Sequence, residues 1–190
     1  MKYPHWYYFI ALVNDLEATS RYVEFSTDNF NTYSTEYSKL ILAACSEIDV
    51  VAKLLCKKIK TESSAKNIVN YRDTITPVYK YFASIEVVIR RYELTIIPWK
   101  SWAENQTPEW WSNYNDIKHQ RDKHYTKSNL QNAFASVAGL AVMVSYLYHE
   151  EISEHLIYSI PDFLFLDNHY NKGSIMVGKI ILHLPDFPKN

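Results

Sequence analysis

The chain has 190 residues, enough to bury a full hydrophobic core in one domain without disulfide or metal support. Its 20 Lys and Arg against 21 Asp and Glu leave a net charge of -1, which argues against the broad basic footprint of a protein that coats duplex DNA or an anionic membrane and leaves room only for a local basic patch. A hydrophobic content of 47%, with 16 Tyr and 5 Trp, excludes an intrinsically disordered chain.

Glycine occurs only three times, against about 7% in an average protein, and never before Gly139. Tight β-hairpins draw on glycine at positive φ, so an all-α architecture is expected. Over 7–25, Ile10, Val13, Leu16, Tyr22 and Phe25 predict a first helix, followed by the connection STDNFNTYS. Over 35–59, Tyr37, Leu40, Ile41, Ala44, Ile48, Val51, Leu55 and Ile59 recur at steps of three and four, one buried helical stripe with Ser34 or Thr35 as its cap. On that helix Cys45 and Cys56 stand about 16 Å apart, too far to bridge each other.

TESSAK at 61–66 is a loop, and Ile68, Tyr71, Ile75, Val78 and Tyr79 predict a third helix over 67–81 that Pro77 kinks or ends near Thr76. The stretch FASIEVVIRRYELTII at 82–97 fits helix and extended chain equally well. Pro98 and Pro108 bracket an irregular WKSWAENQT. Ser128 opens a last long helix with the stripe Leu130, Ala133, Phe134, Val137, Leu140, Ala141, Val144 and Tyr148, running to about His155. Beyond Pro161, SIMVGKIILHL preceded by the turn-like HYNKG predicts a small strand pair or an arm. The expected organisation is a helical bundle over 1–160 with a β-like tail over 161–190, the 35–59 and 128–149 helices packing antiparallel without a central sheet.

The longest apolar runs fall short of the ~20 residues of a membrane span, and no charged start precedes an apolar run and a cleavage site, so a cytoplasmic protein with reduced thiols is expected. There is no Gly-rich phosphate loop, no His-Glu-x-x-His and no cysteine pair at zinc spacing, so neither metal nor cofactor is expected.

Chemistry concentrates in WWSNYNDIKHQRDKHYTKSN at 110–129. If 115–124 is helical, Asn115, Lys118 and His119 share a face that Asp122 continues, with Arg121 slightly round the cylinder. An amide, an ammonium, an imidazole and a guanidinium beside Trp110 and Trp111 suit a phosphate or nucleotide, the cations for charge and a ring for stacking. Glu47, on the edge of the 35–59 stripe, is placed to hold His119 or pair with Arg121. The same residues also suit a structural role: Asn115 as a cap, His119 bonded to a neighbouring helix, Glu47 in a half-buried salt bridge, the tryptophans in the core.

The order of SEID at 46–49, WWSNYNDIKHQR at 110–121 and the Ser-Asn-Leu-x-x-Ala entry at 128–133 resembles the HEPN superfamily of α-helical bundles over roughly 33–148. Tyr114-Asn115-Asp116-Ile117-Lys118-His119 resembles the superfamily's Arg-polar-x-x-x-His signature, with Tyr114 standing where the arginine is expected. The shifted pair Arg121 and His124 has only two residues between them, fewer than the signature has. The resemblance implies a homodimer with sites paired across the two-fold axis and metal-independent RNA cleavage in a toxin or phage-defence setting, with an antitoxin or other partner protein. Other members are non-catalytic. In such a site His119 would act as base or acid, Lys118 and Arg121 would stabilise the phosphorane charge, Asn115 would orient the phosphate, and Glu47, Tyr114 and His124 would support them. The rival expectation is a non-enzymatic interaction or dimerisation module in which the cluster is structural.

Overall fold

The computed structural model describes residues 2–157 and, beyond them, the backbone of three short strands. Tyr3 takes a left-handed conformation (φ 53°) and Pro4 opens α1, Pro4–Thr19, pre-set by its ring for the first helical turn. Trp6, Phe9, Leu12, Val13 and Leu16 form its buried side. The helix starts earlier and stops sooner than predicted: Tyr22 is 88% exposed in the following turn, and Phe25 reaches the core from the loop instead.

The helix α2, Thr35–Ile59, has the predicted bounds. The Ser34 hydroxyl accepts from the Tyr37 N–H, and the stripe from Tyr37 to Leu55 is buried, with Cys45 and Cys56 inside it as free thiols. In α3, Ile68–Ile75, the Asn67 side chain caps both the Val69 and Asn70 N–H groups, and the helix ends at Thr76, just before Pro77. The open segment 82–97 resolves to two short strands and two 3-10 turns, Phe82–Ser84 and Arg90–Tyr92: β1, Glu86–Ile89, pairs antiparallel with β2, Leu94–Ile96, around a turn in which Glu93 has positive φ. The fourth helix, α4, is Glu109–His124, and α5 is Leu130–Leu147, capped by Asn129 rather than opened at Ser128. Tyr148 breaks the predicted long last helix, and α6, His149–Ser153, follows.

The helix α5 is the axis of the fold. From Leu130 to Tyr146 only Gln131 is exposed, so the helix is apolar on all sides because every side is covered. It is long and apolar enough by composition to cross a membrane, with 89% of it buried here. Its most extensive neighbour is α2.

The two helices run parallel, which corrects the antiparallel expectation. The Ser34 N–H donates to the Ser128 carbonyl and the Leu130 N–H to that of Thr32, each at 3.0 Å, so α2 and α5 start side by side. At the far end the Lys58 ammonium reaches the Leu147 carbonyl at 3.3 Å. A parallel neighbour demands a crossover, and the long 60–129 connection supplies it. In that connection α4 runs back against both helices, and α1 does the same, with the ring of Tyr3, just before it, edge-on to Tyr148 at 5.6 Å and its last residue, Thr19, beside Tyr37.

The tail is tied to the bundle. In the described residues β3, Phe165–Asp167, joins β1 antiparallel on the side opposite β2, and β4, Ser174–Val177, pairs antiparallel with β5, Ile180–His183, the strand pair that is one of the two expectations for this segment. The predicted 160/161 boundary and the HYNKG turn lie outside the described residues. The three-stranded sheet does not replace the α2–α5 pair as the core.

Candidate functional site

Pro108, fixed near φ −58°, and the acidic Glu109 start α4 six residues before the predicted 115. The early start makes Trp110 and Trp111 helical residues of the core. Trp110 is 6% exposed, donates its indole N–H to the Pro98 carbonyl at 2.8 Å, and stands edge-on to Trp99 at 5.1 Å. It also lies against the one glycine of α5: a Cβ on Gly139 would sit 3.0 Å from its ring. Trp111 packs between Trp110 and Tyr114 at 5.9 and 5.3 Å. Both indoles are thus spent largely on the core and lie away from the Lys118–Arg121 face, which corrects the stacking role expected of them beside that cluster; only an edge of Trp110 reaches a groove on the other side of the helix start.

Tyr114, in the signature's arginine position, is also buried, and desolvation pushes its phenol pKa up while the nearby Lys118 ammonium opposes the shift. The Lys118 ammonium rides over the Tyr114 ring at 5.6 Å. Asn115 does not cap the helix. It is exposed, and its amide donates back to the Trp111 carbonyl at 3.1 Å.

At Gln120 the backbone leaves helical geometry (φ −144°, ψ 54°). The three-and-four arithmetic therefore holds for Asn115, Lys118 and His119 but not for Arg121, Asp122 and His124, which lie beyond the break. His119, Arg121 and Lys123 are exposed, and their side chains make no hydrogen bond or ion pair with any described residue. His124 is half-buried. Asp116 binds the Lys127 ammonium at 2.5 Å, and that hydrogen bond, helped by the charges of Lys127 and His124, lowers its carboxyl pKa.

Glu47 is half-buried, as its place on the stripe's edge requires, but its partner is His5, Nδ1 to Oε1 at 2.5 Å. Glu47 therefore neither holds His119 nor pairs with Arg121. The His5 ring stacks on Tyr148 at 6.5 Å and 27°, so the contact joins α1, α2 and the end of α5. His5 gave no signal in the sequence, because nothing local links a first-turn histidine to a carboxylate 42 positions away.

The structure thus gathers Lys118 and His119 on one exposed face, sets Arg121 past a break, and removes Glu47, Trp110 and Trp111 from the cluster. The arrangement can bind an anion, and among the described residues no carboxylate holds the His119 imidazole. No protein-family model, curated protein or solved structure matches the chain.

Proposed function

We propose that the chain is a HEPN-like helical bundle that binds RNA or nucleotide phosphates through the exposed basic end of α4, acting as a cytoplasmic homodimer in a toxin or phage-defence setting with a partner protein. The observation that carries this is the set Lys118, His119, Arg121 and Lys123. Four cationic or titratable side chains leave the end of α4 within six residues, two before the break at Gln120 and two after it, and among the described residues none meets an acidic side chain in an ion pair. Cations without an acidic partner bind phosphate without first breaking a salt bridge. Metal-independent cleavage needs, besides the His119 imidazole, a cation held at the same phosphate, and a two-fold axis near α4 would bring Arg121 of a second copy to it.

Burial of Trp110, Trp111 and Tyr114 favours a second reading, an interaction module in which α4 only knits the bundle. Incubating the protein with single-stranded RNA in the presence of EDTA, alongside salt-dependent binding, separates the two. Cleavage or binding that His119→Ala and Arg121→Ala weaken supports the first reading, and inert protein at low salt supports the second.

A further inference from the structure

Beside the buried half of α4 lies a groove of about 620 Å³ that the phosphate-binding segment does not use. Five amides line it, Asn31, Asn113, Asn129, Gln131 and Asn132, over an apolar floor from Trp110 and Ile96, with Tyr33 on its wall. We infer that this groove is a subsite for a nucleobase, carried on an RNA strand or a free nucleotide; the inference rests on the nucleic-acid reading of α4 and adds the part that reads the base.

Charge excludes a phosphate here. The groove meets the start of α5, but the helix's first N–H groups are spent: Leu130 on the Thr32 carbonyl, Gln131 on that of Phe30, Asn132 on the Asn129 side chain. The Lys127 ammonium is paired with Asp116, and the remaining charge on the rim is the Glu109 carboxylate. A neutral ligand with donors and acceptors fits what is left.

Two features favour a base. Asn113 is 9% exposed, yet its one described partner is Asn132, its N–H donating to the Asn132 oxygen at 3.3 Å, so its own carbonyl and second N–H stay open to the groove. Asn132 is held in turn by donating to the Lys127 carbonyl at 2.8 Å. A fixed amide with adjacent donor and acceptor facing a groove matches the edge of a base. Tyr33 is half exposed and braced edge-on against Tyr125 at 5.7 Å, whose hydroxyl bonds Thr35 at 2.7 Å. That leaves a pre-positioned ring for stacking.

The test uses a short single-stranded RNA and an abasic ribose-phosphate strand of the same length, both followed by fluorescence anisotropy. The expected result is tighter binding of the RNA, a loss of about tenfold in RNA affinity for Tyr33→Ala and Gln131→Ala with abasic binding unchanged, and weaker binding of both strands for Arg121→Ala. Both groove variants remove exposed side chains, so folding survives them. Equal binding of the two strands, or variants that keep the RNA preference, overturns the base subsite while leaving the phosphate reading intact. If neither strand binds, the phosphate reading falls, and titration of free nucleosides decides the groove: shifts of the Asn31 and Gln131 side-chain amide resonances in NMR uphold it, and unmoved resonances overturn it.

Discussion

The two halves of α4 share one helix and have opposite surroundings. Up to Ile117, the side chains of Trp110, Trp111, Tyr114 and Ile117 point into the core and tie the helix to Pro98, Gly139 and each other. From Lys118 on, the charged side chains lie in water, and the backbone itself departs from the helix at Gln120. The comparison teaches that a run dense in hydrogen-bonding groups is two things joined end to end, an anchor and a presented surface. Substitutions in the first half should cost stability, and those in the second should cost binding.

The largest effect should come from Trp110→Ala, which empties a core site and strands the Pro98 carbonyl. A loss of about 3–5 kcal/mol is expected in urea unfolding, and a loss under 1 kcal/mol would break the anchor half of the comparison. Gly139→Ala presses on the same ring from the other side and should cost about 1–3 kcal/mol by overpacking, with Trp110 fluorescence changed.

The next effect is one of pH. Burial, and then the Lys58 charge, depress His149 to about 4 from its ordinary 6.5. Below 6.5 the unfolded chain takes up a proton that the folded chain refuses, so stability should fall as pH drops from 6.5 to about 4 and this contribution should level off below that. His149→Gln should flatten that part of the melting-temperature profile, and an unchanged slope would remove His149 as its source.

The smallest stability effects belong to the surface half. His119→Ala and Arg121→Ala should each cost ~0.5 kcal/mol or less. If the surface binds RNA, Arg121→Ala should also lower the log–log salt slope of single-strand binding by about 0.7. A melting temperature several degrees lower for His119→Ala would instead make that residue part of the anchor.

Legibility in the sequence followed how local each determinant is. The bounds of α2 could be read because the stripe, the Ser34 cap and the polar TESSAK loop all lie within the segment. The end of α3 was equally local, since Pro77 sets it. The 82–97 stretch could not be decided from its own residues: β1 is completed by β3, which arrives from 165–167. The tryptophans were misassigned because two adjacent indoles carry no helical period, and their burial depends on Pro98 and Gly139. Glu47 was placed correctly at the stripe's edge, but which residue it faces depends on how α1 docks. The parallel course of α2 and α5 was within reach, as the length of the connection between them permits a crossover that a short loop would forbid.

That parallel course has a consequence for how the chain comes into being. During synthesis α2 leaves the ribosome well before the helix it packs against, and its apolar stripe must wait through the whole crossover for α5 to emerge. When α5 does appear, it is an 18-residue apolar segment with no polar face of its own, bare until α1, α2 and α4 close around it. Nascent chains that stall between these two events would present the sticky surfaces that chaperones hold, and the backbone bonds from Ser34 to Ser128 and from Leu130 to Thr32 are the clasp that ends the exposure.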